Sequence, residues 1–355
     1  MAKNSKRWQG TTIGVDVGDR SSRLCVLDPD GEILEESKIP STIEAFEARF
    51  LNREPARVVL ETGTHANWMH DALEAMGHEV IVADSRELRT ISESDRKDDR
   101  TDATKLARMG RSELKLLRIV DPRSREIRKD LEFLRARGQL VVMRTMLVNH
   151  IRGVVKSFGS RMPECSAESL HKHPLPPELE PGLETMRAML KSTSAAIKDY
   201  DKKIEELAET KYPQTSVLAQ VRGVAALTAL CFVLTIGDPR RFKKTRNVGS
   251  FLGATPRRRQ SGDSNPKLRI TKRGDSMMRT LLVLSAQHLL RRSSPDCDLK
   301  RFGTRIFKRG GPHAKQRAVI ATARKLSVLL LSMWKTGEVY DPLRSSPKAK
   351  AQPQS

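Results

Sequence analysis

The apolar positions change period several times between residues 11 and 120, and each change marks an element. In TTIGVDVG (11–18), Ile13, Val15 and Val17 alternate with Thr12, Gly14 and Asp16, which predicts a strand with two distinct faces. RLCVLD (23–28) reads as a second strand, and the DPDG turn at 28–31 leads into a third over 32–39. A helix over 42–52 follows, opened by Ser41 or Thr42 as cap. RVVLE (57–61) is a short apolar strand ending on an acid, and a helix over 66–77 stops at Gly77. EVIVAD (79–84) makes a fifth strand, and a further helical segment begins near 101.

Three meandering strands and then helix, strand, helix, strand, helix is the order of a ribonuclease-H-like α/β domain, expected here over 11–120 behind a basic extension at 1–10. Beyond Pro122 the period lengthens. Ile127, Leu134, Val141, Val148 and Val155 recur every seven residues. Leu183, Met186, Leu190, Ile197, Tyr200, Ile204 and Leu207 occupy a and d positions of a second seam, with Thr193 the polar guest. These seams predict a long helical, coiled-coil middle over 121–212, interrupted by the Pro-rich connector HKHPLPPELEPG (171–182), which reads as a surface loop. Periodicity leaves open whether the seams pack on each other as an antiparallel hairpin or against another subunit. Residues 213–340, with apolar helices at 277–290 and 318–334, predict a small, mainly α domain, and the polar tail at 341–355 reads as disordered.

Charge narrows the choice of partner. The 355 residues carry 65 Lys and Arg against 43 Asp and Glu, a formal net charge of +22, so a polyanionic partner is expected. The longest apolar run, 225–236, is broken by Thr228 and Thr235, and MAKNSKRWQG lacks the apolar core of a signal peptide. A soluble, cytoplasmic protein with no membrane partner is therefore expected. Cys25, Cys165, Cys231 and Cys297 are scattered with no CxxC pair, and His171 and His173 have no third ligand nearby, so no zinc site or disulfide frame is indicated.

The candidate chemistry lies in two places. A strand acid must face water or hold something positive, which singles out Asp16. Glu61 ends the fourth strand, at the mouth where open α/β sheets carry ligands. In KDDRTDA (97–103) a helix would turn Asp99 and Asp102 to one side and Asp98 elsewhere. The four carboxylates suit two magnesium ions about 3.5–4 Å apart, as in phosphoryl transfer; a helix N-terminus favouring acids through its dipole is the other reading of Asp99 and Asp102. The second place is GSFLGATPRRRQSGDSN (249–265) with KLRITKRGDSMMRTLL (267–282). There Ser261 lies among Arg257, Arg258, Arg259, Lys267, Arg269, Lys272, Arg273 and Arg279. Cations around a hydroxyl are what a serine attacking a phosphodiester requires, and equally what a nucleic-acid-binding loop with an incidental serine contains. VRGVAA (221–226) carries one glycine, Gly223, where helix–hairpin–helix turns usually have two.

On these residues the chain resembles the DEDD insertion-sequence transposases, the bridge-RNA-guided recombinases. GVDVG with Asp16, LETGTH with Glu61 and KDDRTDA with Asp99 and Asp102 match the family's four acids in order and spacing. GSFLGATPRRRQSG followed by ITKRGDSMMRTLL matches its second domain, and Ser261 falls on its nucleophilic serine. The departure is KDDRTD, where the family more often has Thr before the third acid; it favours Asp99 over Asp98. The resemblance implies a RuvC-like domain joined through a coiled coil to a transposase domain. It implies attack of Ser261 on DNA to give a phosphoserine, with Mg2+ on Asp16, Glu61, Asp99 and Asp102, then strand exchange through a Holliday-junction-like intermediate. The implied partners are donor and target DNA, a noncoding bridge RNA pairing with both, and further copies of the chain as a dimer joining into a tetramer. No nucleotide cofactor is expected, consistent with the lack of a GxxxxGK[ST] loop. The alternative is a metal-only junction resolvase or nuclease in which Ser261 binds phosphate.

Overall fold

The period-two segments pair into one mixed sheet. The computed structural model describes residues 8–84, 99–112, 114, 117–260, 264, 266 and 268–344, the side chains of 99–101 excepted. Strands β1 (Thr12–Asp16), β2 (Ser21–Leu27), β3 (Ile33–Pro40), β4 (Arg57–Glu61), β5 (Glu79–Ala83) and β6 (Ile119–Val120) form a six-stranded sheet in the order β3-β2-β1-β4-β5-β6. The first three are antiparallel neighbours, β1, β4 and β5 run parallel, and β6 closes the far edge antiparallel. Strand β6 is two exposed residues long, too short to leave a pattern in the sequence.

Helices α1 (Ile43–Phe50) and α2 (Ala66–Ala75) cover one face, where Phe46, Phe50, Met69 and Leu73 pack on Ile13, Val15, Val58 and Leu60. Helix α3 (Asp99–Ser112) covers the other, with Ala103 and Ala107 on Cys25 and Leu27, and Leu106 on Val59 and Ile81. The local signals are satisfied in detail. Thr42, not Ser41, caps α1 by accepting from Ala45 N, while Ser41 Oγ donates to Gly18 O at 2.8 Å and ties the β1–β2 turn to the start of α1. Asp28 Oδ1 accepts from the backbone N–H groups of Asp30, Gly31 and Glu32, which closes the DPDG turn. This mixed α/β arrangement is consistent with a ribonuclease-H-like fold.

The chain divides into two units, Met1–Arg125 and Glu126–Ser355. The second is helical. Helices α4 (Arg125–Ser157) and α5 (Glu180–Thr210) lie antiparallel, and their seams meet each other within one chain. Val148, Ile151 and Val155 of α4 pack with Leu183 and Leu190 of α5 at the closed end, and Leu131 and Leu134 share a core with Ile204 and Ala208 at the base. Between these ends, Arg137 Nε donates to Asp201 Oδ1 at 2.9 Å. The Pro-rich connector is more than a surface loop, since Leu175 and Leu179, with Leu170 just before, are buried in the closed end.

Asp130, only 5% exposed, clamps the base: its Oδ2 accepts from Tyr212 Oη and Lys211 Nζ, each at 2.6 Å. Burial and the Asp130 hydrogen bond together push the Tyr212 hydroxyl upward, so it stays a donor. Beyond the clamp come α6 (Thr215–Ala219), α7 (Ala226–Ile236), α8 (Val248–Phe251), α9 (Ser276–Leu289), α10 (Asp298–Lys308) and α11 (Ala314–Thr336). Helix α7 is the apolar run of the sequence. Every residue from Thr228 to Ile236 is buried, so it is the central core helix. Among the described residues no helix is long and apolar enough to cross a membrane.

Candidate active site

Alternation along β1 puts Ile13 and Val15 on the α1/α2 face, and therefore Thr12, Gly14 and Asp16 on the α3 face. Helix α3 approaches that face closely because glycines stand at the contacts. A Cβ on Gly14 would lie 2.0 Å from Ala103 O, and one on Gly110 would lie 2.2 Å from Val59 Cγ2. Gly110 thus sits over Val59 and Thr12, and Ala103 over Gly14, so α3 runs antiparallel to β1 and its first turn points toward the Asp16 end. In the β1–β4 ladder Gly14 pairs with Val59 and Val15 with Leu60, which places Glu61 beside Asp16 on the same face. The fold therefore brings Asp16, Glu61 and the α3 turn carrying Asp99 and Asp102 to one edge.

Asp16, Glu61 and Asp102 are half-buried, and Asp102 Oδ1 lies 3.5 Å from Lys105 Nζ. Asp99 is the first residue of α3, and its side chain lies outside the described residues. Among the described residues no three Asp, Glu, His or Cys side chains are gathered closely enough to hold a metal ion. The donor set itself is all carboxylate, which suits a hard, oxygen-seeking divalent cation. Cys25, beneath α3, is buried, and burial pushes its thiol up, so it stays protonated.

Sequence reasoning missed a link between the loops leaving β1 and β4. His65 Nδ1 accepts from Trp68 Nε1 at 2.9 Å, which leaves Nε2 as the protonated nitrogen, 3.6 Å from Asp19 Oδ1. The signal is present in ETGTHANW (61–68), but nothing in the sequence says that Asp19 is its neighbour.

The second candidate region is a backbone ribbon in the helical unit. Arg257 N donates to Arg269 O, Thr271 N to Thr255 O and Lys272 N to Gly253 O, around an isolated Pro256–Ile270 bridge. Arg257, Arg258, Arg259, Arg269 and Lys272 are exposed on it, and Arg273 is half-buried. Lys272 has φ 56, a left-handed conformation unusual for a lysine. Gly253 (φ +67) makes room there, since a Cβ would lie 2.1 Å from Arg273 O. Arg279 behaves differently from the other cations: its Nη1 donates to Arg273 O at 2.7 Å and Gly274 O at 2.9 Å, bracing the ribbon onto α9. Ser261 and Lys267 lie outside the described residues.

The two candidate features are thus a carboxylate edge on the mixed sheet and a cationic ribbon in the helical unit. Residues 13–159 match the DEDD_Tnp_IS110 transposase family, and residues 215–302 match the Transposase IS116/IS110/IS902 family. The chain is 26% identical over 338 residues to the transposase for insertion sequence element IS1111A of Coxiella burnetii, covering 92% of this chain and 90% of that one. It is 25% identical over 290 residues to the transposase for insertion sequence element IS1328 of Yersinia enterocolitica, covering 79% and 84%. A putative transposase y4pF/y4sB of Sinorhizobium fredii is 27% identical over 306 residues, covering 82% and 76%. The chain belongs to the IS116/IS110/IS902 family of insertion-sequence transposases.

Proposed function

We propose that this transposase cuts and rejoins DNA through a covalent phosphoserine. Ser261 Oγ forms a bond to the scissile phosphorus, the bond from phosphorus to the leaving sugar oxygen breaks, the serine proton passes to solvent, and the leaving oxygen takes one up to become a free sugar hydroxyl. The ester retains the bond energy for rejoining after strand exchange through a Holliday-junction-like intermediate, so no nucleotide cofactor enters. Asp16, Glu61, Asp99 and Asp102 would hold Mg2+, which supplies charge stabilisation at the phosphoryl oxygens when bound. The observation that carries this reading is the convergence of Asp16, Glu61 and the first turn of α3 on one edge. Arg257, Arg258, Arg259, Lys267, Arg269, Lys272 and Arg273 contact phosphates, and Arg279 supports them.

In this reading 11–120 is the RuvC-like domain, 121–212 the coiled-coil middle and 213–340 the transposase domain of a cytoplasmic protein. A noncoding RNA pairs with donor and target DNA, which fits a chain of net charge +22 with 4% aromatic residues, rich in phosphate-binding cations and poor in rings to read bases. Dimers joining into a tetramer use the outer face of the hairpin, where Val142, Met143, Met146 and Met189 remain exposed. The test is a denaturing gel of full-length protein with end-labelled element DNA and Mg2+. A covalent protein–DNA adduct is expected, and it disappears in Ser261→Ala. Cleavage without any adduct would replace this reading by a metal-only resolvase in which Ser261 binds phosphate.

A further inference from the structure

A second exposed basic segment of the helical unit lies outside the ribbon. DPRRFKKTRN (238–247) forms two single turns of 3-10 helix, Pro239–Arg241 and Thr245–Asn247. It is a firmly seated ridge. Phe242 is buried, its carbonyl accepts from Lys335 Nζ of α11 at 2.6 Å, and Val248 is buried just beyond. The Phe242 and Phe251 rings meet edge to face at 5.4 Å, and the Arg241 guanidinium lies 5.0 Å from the Phe251 centroid. Arg240 pairs with Asp238 at 3.0 Å. Lys243, Lys244 and Arg246 point outward, and among the described residues no carboxylate forms an ion pair with them.

The ridge is continuous with the ribbon. Helix α8 joins them: its Phe251 touches Arg241 on one side, and on the other a Cβ at Gly274 would lie 2.3 Å from Phe251 O. A rigid row of like charges is self-repulsive unless a polyanion neutralises it. The aromatic rings of the ridge, Phe242 and Phe251, are turned into the protein, so it has no platform on which unpaired bases could stack. That leaves backbone phosphates of a duplex as the fitting ligand.

We propose that residues 240–246 form a second phosphate-binding surface, which holds duplex DNA along a track continuous with the ribbon around the Pro256–Ile270 bridge. The inference rests on the reading that this unit binds DNA, and the ribbon serves as its internal control. Full-length protein is titrated onto a labelled DNA duplex by fluorescence anisotropy across a salt series. Removing one cation that neutralises a phosphate lowers the slope of log K against log [salt] by about 0.9, so K243A/K244A/R246A should lower it by about 2.7. Equivalently, the drop in affinity between about 50 and 200 mM salt should shrink roughly 40-fold.

The charge-conserving variant K243R/K244R/R246K should keep the slope, and a reduced slope there would mean that folding, not charge, is at work. An unchanged slope in the alanine variant, with a reduced slope in R257A/R258A/R259A, overturns the ridge alone. Unchanged slopes in both overturn the DNA-binding reading of the unit beneath it. A reduced slope confined to a structured RNA hairpin tested in parallel overturns the assignment to DNA.

Discussion

The acid edge and the cationic ribbon are built by opposite means. The acid edge rests on close packing of helix on sheet: Gly14 lets the α3 backbone settle on β1, and Gly110 fits against the Val59 side chain of β4. The ribbon is held by a few backbone hydrogen bonds, glycines in left-handed conformation and one bracing arginine, with its other charges mostly outside. The difference matches what the proposed function asks of each. Carboxylates that share a divalent cation must meet fixed coordination distances of about 2.0–2.1 Å for Mg2+. Cations that gather phosphates act over a Debye length of about 8–10 Å, and positional error matters little.

The largest expected effect is at the edge. Asp16→Asn or Asp102→Asn should lower DNA cleavage about a thousandfold, the equivalent of several kcal/mol at the transition state, with thermal stability nearly unchanged. Cleavage within a few-fold of the parent would remove these acids from the chemistry. Next is Leu190→Asp, which places an unpaired carboxylate at a fully buried position of the hairpin. It should cost about 3–5 kcal/mol in urea unfolding; unchanged stability with a smaller particle mass would assign the position to a subunit interface instead.

Gly14→Ala sharpens the contrast more finely. Its Cβ would collide with Ala103 O, so a loss of about 1–3 kcal/mol is expected together with reduced cleavage, because α3 carries two of the acids. Gly63→Ala, two residues beyond Glu61, meets nothing within 4 Å and should change stability by no more than about 0.5 kcal/mol. Equal effects at the two glycines would break the claim that close backbone packing sets the edge. The smallest effect is a pH dependence at the DPDG turn. The backbone N–H groups of Glu32, Gly31 and Asp30 hold the Asp28 carboxyl below the usual range. A depressed folded pKa stabilises the fold above the unfolded value, about 3.9, and that stability is lost as pH falls through the folded one. Asp28→Asn should remove this component of acid unfolding, seen as a shallower stability loss below about pH 4.

Much of this molecule was legible in one dimension. The alternation of Ile13, Val15 and Val17, the RVVLE and EVIVA runs and the DPDG turn determined the strands, since strand faces and turn chemistry are local properties. The order of the acids and the match of GSFLGATPRRRQSG were enough to indicate the family. Other features were decided only in three dimensions. The heptad seams are equally satisfied by a partner in the same chain or another, and in this structure Leu183 and Leu190 pack with Val148, Ile151 and Val155 of the same chain. Arg279 reads like its basic neighbours until its donors are seen bound to the ribbon's own carbonyls. The exposed ridge at 240–246 reads like other basic stretches until Phe242 is seen packed on Phe251 and held at its carbonyl by Lys335, 93 residues further along the chain. Periodicity and turn chemistry are written within a few residues of one another, whereas which charge faces water and which helix meets which sheet depend on contacts the chain makes only once it has closed on itself.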